Sequence, residues 1–202
     1  MLKGGGENNN TFFNKYLAID KISYLKGGRK MRKRGFTLIE LIVVIAVIGI
    51  LAAIIAPNAF KAIEKGKIAA AESDYKSIKT GSMSYYADTG QWPADGVTGT
   101  TSPNPFMAAP AGVSGWDGPY LEKFPARNPW GGAYTWNNDS AIDWTGDGTA
   151  DAARYVTLSN VSPTSANKID LDLDGTAGAT SGTVIYTTAS GVSTVNILVA
   201  RD

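Results

Sequence analysis

Two acidic clusters carry the residue types best suited to chemistry. Asp143-Trp144-Thr145-Gly146-Asp147-Gly148-Thr149-Ala150-Asp151 places a carboxylate at every fourth position, with Gly148 free to make a sharp turn. Asp170-Leu171-Asp172-Leu173-Asp174-Gly175 is a tighter D-x-D-x-D-G. Oxygen ligands so spaced suit calcium, which makes Asp143, Asp147 and Asp151 one candidate metal site and Asp170, Asp172 and Asp174 another. Neither run reaches a Glu at its twelfth position, where Arg154 and Ser181 stand, so neither is a complete EF-hand loop. The second cluster also reads as a strand, with Ile169, Leu171 and Leu173 inward and the aspartates in water. Calcium is a candidate ligand, and no cofactor is required.

Other chemistry is limited by what the chain lacks. It has no cysteine and no histidine. Disulfides, thiolate metal sites and cysteine nucleophiles are therefore excluded, and the commonest general base and zinc ligand are missing. Asp143 and Asp147 can in principle serve as acid and base, giving a membrane-anchored hydrolase as a remote alternative. A Gly/Thr-rich loop without His or Cys is poor ground for it, so the chain reads as a non-enzyme.

Glu40 is the third informative carboxylate. It lies inside Phe36–Ala56, a block that apart from Thr37 and Glu40 is apolar or glycine throughout. As a helix this block spans about 30 Å, one bilayer core. An ordinary buried helix is rarely apolar on every face for so long, and no small-residue cleavage pattern precedes Pro57. A carboxylate in a lipid-facing helix costs about 2.5–3.5 kcal/mol, so it calls for a partner. A cut after Gly35 would create a cationic amine four residues upstream. In a bundle of such helices, the amine of one copy can meet Glu40 of its neighbour.

Charge divides at the same place. Residues 1–35 carry nine Lys/Arg against Glu7 and Asp20, whereas the rest has ten Lys/Arg against sixteen Asp/Glu, a net of −6. A basic side that stays in the cytoplasm and an exported acidic side fit this pattern, giving a single pass with the N-terminus inside. The acidic body also argues against specific or broad nucleic-acid binding. Residues 1–35 read as a leader. Within it, Lys26-Gly27-Gly28-Arg29-Lys30-Met31 is encodable as a ribosome-binding site, spacer and start codon, so Met31 is an alternative start.

These residues must be held by two kinds of element. A transmembrane helix over 36–57 passes into an amphipathic helix over 58–88, whose stripe is Ile63, Ile68, Ala71, Tyr75, Ile78 and Ser82. Pro57 and Gly49 weaken the join, so a bend is expected near 53–57. Residues 89–202 form the remainder. Residues 93–131 hold seven prolines and read as a loop-rich surface connector. Ala133–Trp136, Tyr155–Leu158, Thr183–Thr187 and Val195–Val199 alternate like strands of a small antiparallel sheet. The fold class is α+β, a long helix laid on a small sheet.

Lys33-Arg34-Gly35-Phe36-Thr37-Leu38-Ile39-Glu40-Leu41 resembles the cleavage and methylation motif of type IV prepilins and type II secretion pseudopilins. Pro57, at the twenty-second position after the cut, agrees with that family. Asp88-Thr89-Gly90-Gln91-Trp92-Pro93, Gly118-Pro119-Tyr120-Leu121-Glu122-Lys123 and Asn128-Pro129-Trp130-Gly131-Gly132-Ala133-Tyr134 are similar to the major pseudopilin and related pilins. The resemblance covers about residues 31–93 well and 118–136 loosely. It departs from the family in having no disulfide-bounded C-terminal loop.

The resemblance implies cleavage between Gly35 and Phe36 by a prepilin peptidase and methylation of the Phe36 amine. It implies a ladle-shaped subunit that waits in the inner membrane and then joins a homo-oligomeric helical filament, extracellular or periplasmic. An assembly platform and an ATPase would drive that step. Two machines fit: a type IV pilus, favoured by the long Thr/Gly/Ala-rich C-terminal region, and a type II secretion pseudopilus, favoured by the connector motifs. Adhesion or electron transport through Tyr75, Tyr85, Tyr86 and the five tryptophans is a further role, although aromatic residues at this spacing more often make core contacts.

Overall fold

The computed structural model describes residues 35–176, 178 and 180–201. The expected leader, apart from Gly35, and the alternative start at Met31 lie outside them. In chain order the elements are α1 (Leu38–Thr89), β1 (Val97–Thr98), β2 (Tyr134–Ile142), β3 (Asp151–Val161), α2 (Pro163–Asp174), β4 (Val184–Ala189) and β5 (Val192–Arg201). The chain parts into two units between Ile48 and Gly49.

Helical geometry in α1 continues through both Gly49 and Pro57, so neither residue ends the helix. It stops where Gly90 takes a left-handed φ of 73° and donates its amide to Tyr86 O at 2.8 Å. In the second unit α1 buries Ile68, Ala71, Tyr75, Ile78, Gly81, Ser82 and Tyr85. Ile63, expected in the same stripe, is 57% exposed. Gly81 is buried because Leu121 and the Tyr120 carbonyl come within 3.1–3.2 Å of where its Cβ would stand.

The five strands run in the order β1-β2-β3-β5-β4, every pair antiparallel. Residues 134–136, 155–158, 184–187 and 195–199 of the expected runs are strand. The β4–β5 hairpin turns on Ser190 and Gly191, at φ 52° and 81°. Two successive positive φ values give a type I′ turn, whose twist matches the strands. The helix-facing core takes Tyr134 and Trp136 from β2, Val156 and Leu158 from β3, and Val195, Ile197 and Val199 from β5. Tyr75 Oη donates to Leu198 O at 2.5 Å, and Tyr134 Oη donates to Asp74 Oδ2 at 2.8 Å, pinning the helix to the sheet.

The sheet has a second buried face. Trp144, Ala153, Tyr155 and Ile185 cluster there with Ile142 and Leu198. A register shift between Arg154 and Tyr155 against β5 accompanies the change of face along β3. The acidic loop after β2 covers this face, with Trp144 as its buried anchor.

Helix α2 is the main departure from the sequence expectation. The stretch read as a metal loop or a strand is its C-terminal half. Ser162 caps its start by accepting the Ser165 amide, Pro163 occupies the first turn, and Gly175 closes it at a left-handed φ of 76°. Helical spacing, not alternation, decides burial: Ile169 and Asp170 are buried, Leu173 is partly covered, and Leu171 is exposed. The connector also holds the two-residue strand β1, which pairs Val97 with Trp136 and Thr98 with Thr135.

Candidate assembly site

Gly35, Phe36 and Thr37 precede the first turn of α1 without helical geometry. Thr37 donates its amide and its Oγ1 to Glu40 Oε2 at 3.0 and 2.9 Å, and the Glu40 amide donates to Thr37 Oγ1 at 3.2 Å. This is a reciprocal capping box, satisfying amides that have no partner within the helix. Glu40 therefore has a local partner in its own chain besides the amine proposed from a neighbour. The signal, T-x-x-E before an apolar run, stands in the sequence and was passed over there. Phe36, Ile39, Glu40, Val43 and Val44 line an open cleft of about 340 Å³.

From Phe36 to Ile55 every large apolar side chain is 46–77% exposed. Each fully exposed Leu, Ile, Val or Phe forgoes about 1.5–3 kcal/mol of burial, so this surface requires lipid or other helices around it. Its length and composition suffice to cross a membrane.

A second polar centre lies where α1, α2 and the connector meet. Glu64 Oε1 accepts Trp130 Nε1 at 2.7 Å and Ser162 Oγ at 2.8 Å, and it also accepts Ser165 Oγ. Lys67 Nζ stands 3.7 Å from Oε2. Burial opposes the charge, but hydrogen bonds from Ser165, Trp130 and Ser162 and the Lys67 charge outweigh it, lowering the carboxyl to about 2.

Trp130 reaches Glu64 because the Asn128–Gly132 turn is fixed internally. Asn128 Oδ1 accepts the amides of Trp130 and Gly132 at 3.0 and 3.1 Å, while its Nδ2 donates to Ser159 O at 2.6 Å. Pro93 similarly offers its carbonyl to Trp136 Nε1 at 3.2 Å and Asn138 Nδ2 at 3.3 Å. The aromatic residues mostly make packing contacts: Tyr75 and Tyr85 are buried, and Tyr86 stacks on Trp92 at 4.5 Å.

The two acidic clusters are arranged differently from the sequence expectation. Among the described residues, no three Asp or Glu side chains converge as a metal-holding group. Asp143 Oδ1 accepts the amides of Thr145 and Gly146 at 3.2 and 2.7 Å, and its Oδ2 accepts that of Gly148 at 2.7 Å. The Gly148 amide foremost, with desolvation opposing it and the Gly146 amide and Thr145 hydroxyl adding to it, lowers the Asp143 carboxyl below its ordinary value. Asp147 accepts the Thr149 amide at 2.8 Å, and Asp151 accepts those of Trp144 and Thr145 at 2.7 and 3.2 Å. Together they shape the loop that seats Trp144. In the second cluster helical geometry separates the aspartates. Asp172 pairs with Lys168, whereas Asp170 and Asp174 face the β4 side.

Comparison with known proteins bears on the same two regions. Residues 30–56 match the prokaryotic N-terminal methylation motif, and residues 62–149 match the family described as PilW, C-terminal. The type II secretion system core protein G of Aeromonas hydrophila is 35% identical over 106 residues, 52% of this chain and 73% of that protein. The type IV major pilin protein PilA of Myxococcus xanthus is 46% identical over 57 residues, 28% of this chain and 26% of that protein. Among solved structures, the major type IV pilin PilA1 from Clostridium difficile aligns over 68% of this chain and 96% of that chain. Its identity is 18% and the TM-score 0.41. With the methylation motif at the start of α1 and the core protein G likeness running into the sheet domain, the chain belongs to the family of type IV pilins and type II secretion pseudopilins.

Proposed function

We propose that the chain is the structural subunit of a type IV pilus-like filament, cut between Gly35 and Phe36, N-methylated on Phe36, and assembled through α1. The observation that carries this is the apolar surface of Phe36–Ile55, exposed on all sides and closed at its start by Thr37 and Glu40. Before assembly this surface sits in the inner membrane, with the basic leader inside. Afterwards it packs against copies of itself in an extracellular or periplasmic fibre. Extraction exchanges lipid for neighbouring helices, so apolar surface stays covered throughout and only Glu40 changes partner. The subunit performs no chemistry; a prepilin peptidase, an assembly platform and a cytoplasmic ATPase act on it. The Asp143–Asp151 loop needs no calcium to hold its shape, since its own amides already meet those carboxylates.

Intact-mass and N-terminal analysis of protein from its native cells tests the processing. The expected chain begins at Phe36 and is about 14 Da heavier for one methyl group. Retention of residues before Gly35 would reduce the apolar block to an anchor, and a start beyond Ala56 would make this a secreted domain. Two substitutions then separate the roles of Glu40. Glu40→Gln keeps an acceptor for Thr37 but removes the charge, whereas Glu40→Val removes both. Pairing with a neighbour's amine predicts that both insert in the membrane and neither assembles normally. Normal filaments from Glu40→Gln would leave Glu40 as a cap alone.

A second reading, the major pseudopilin of a type II secretion system, is favoured by the core protein G relatives.

A further inference from the structure

The end of α1, the connector and Val97 of β1 line a cavity of about 360 Å³. Its wall is apolar where Pro105, Pro110 and Val113 stand, and polar where Tyr85, Trp92 and Asp95 stand. The apolar wall is fixed by the chain's own hydrogen bonds. Asn104 Nδ2 donates to Thr98 O at 3.1 Å, and Asn104 Oδ1 accepts the Phe106 amide at 3.0 Å. Pro105 O accepts Trp116 Nε1 at 3.0 Å. None of these residues belongs to the apolar block of α1.

Tyr85 is 2% exposed, yet its hydroxyl makes no hydrogen bond among the described residues. A phenol so buried usually finds a partner, so this one calls for an acceptor from outside the chain. Trp92 Nε1 is likewise without an acceptor among the described residues. Tyr86 stacks on the Trp92 ring at 4.5 Å and Arg154 lies over it at 5.5 Å, so Trp92 offers a ligand its edge rather than a face. Asp95 Oδ1 accepts the Asn138 amide at 2.8 Å, which leaves its Oδ2 for a cation.

Such a lining suits a ligand rich in carbonyl acceptors, poor in donors, apolar between them and basic at one end. We propose that this cavity binds an extended, proline-bearing segment of a partner protein, with a Lys or Arg beside the prolines. A polyproline II helix uses no carbonyl internally and each proline lacks an amide hydrogen, so acceptors face outward and donors are few. Tyr85 Oη and Trp92 Nε1 donate to two such carbonyls, proline rings pack on Pro105, Pro110 and Val113, and Asp95 pairs with the basic residue. One turn of that helix, three residues and about 9 Å long, suits the volume. The segment is ordered before it binds, so binding costs little entropy. A sugar matches less well, because it brings as many donors as acceptors and packs on an aromatic face, where Trp92 already carries Tyr86 and Arg154. The proline run of a second copy at 125–129 is tied into its own fold, with Asn128 buried and Arg127 Nη1 donating to Gly131 O at 3.1 Å.

Fluorescence anisotropy tests this, with the full chain in micelles of a detergent that has no sugar headgroup. The probe is a fluorescein-labelled peptide of alternating alanine and proline that ends in arginine. Saturable binding below about 1 mM is expected. Tyr85→Phe removes one oxygen and should weaken binding about fivefold. Asp95→Asn keeps an acceptor for the Asn138 amide, and should erase a preference of about five- to tenfold for the arginine-ended peptide over a glutamate-ended one. Melting midpoints within about 2 °C of the wild type show that both variants are folded. Equal binding of a glycine–serine peptide, binding unchanged in both variants, or no binding up to about 1 mM would each overturn the proposal. So would displacement of the peptide by maltose at the same concentration, or tighter binding by a peptide copying residues 123–129, which would make a sugar or a second copy the occupant.

Discussion

Glu64 and Glu40 show how differently one side chain type can be used on a single helix. Glu40 stands at the first turn and closes a box with Thr37, whereas Glu64 gathers a tryptophan and two serines from distant parts of the chain. A carboxylate that accepts from three side chains leaves three donors stranded when it is removed. Glu64→Ala should therefore cost about 2 kcal/mol, lowering the melting midpoint by about 4–8 °C. The pH dependence follows from the depressed carboxyl, which lies at about 2 in the folded chain against an ordinary 4.5. Its contribution is fully present above about pH 4.5 and is lost as pH falls toward 2. The stability gap between wild type and Glu64→Gln should accordingly stay constant at neutral pH and narrow only in that acid window. A gap already narrowing at pH 6 would assign the effect to another group.

At the scale of elements, the Asn128–Gly132 turn and α2 exist partly to present these donors. Two adjacent glycines in that turn have different reasons to be there. Gly131 has φ 85° and open space around it, while a Cβ on Gly132 would run into the Ser159 carbonyl. Gly131→Ala should cost about 1–2 kcal/mol for a left-handed backbone. Gly132→Ala should cost about 3 kcal/mol or more, because it forces apart backbones that Asn128 holds together. Thermal melts of the two variants compare these directly, and equal losses would show that close approach to Ser159 is not what fixes the turn. The same elements explain what the sequence revealed. Strands with strict alternation, such as Val195–Val199, were legible, as was the α1 stripe from Ile68 to Ser82, because one periodicity governs each. Helix α2 was hidden by Asp-Leu-Asp-Leu-Asp, which alternates like a strand, although Ser162-Pro163 and Gly175 mark its ends. Glu64 was illegible because its partners lie 66, 98 and 101 residues away. Nothing local distinguishes it from Lys61 or Lys65.

For the whole molecule the governing fact is that nothing among the described residues covers the apolar block. Membership of the pilin and pseudopilin family makes a filament the answer, yet the family runs two machines with one packing principle. The start of α1 cannot tell them apart, since the capping box and the apolar surface serve any helix bundle. The difference must lie in surfaces that the helix does not supply, chiefly the region after residue 137, which includes α2 and the β4–β5 hairpin. A pilus exposes that region along its length. A pseudopilus uses a short fibre to drive cargo across an outer membrane. Deleting the gene in its native host and restoring it with either wild type or Glu40→Val separates these. Loss of long surface filaments with an unchanged set of secreted proteins is expected of a pilin. Secreted proteins accumulating inside the cell, with surface filaments intact, would move this chain to the pseudopilins. In both cases Glu40→Val should fail to restore the phenotype while the protein remains in the membrane, because the fibre and not the single subunit is the working form.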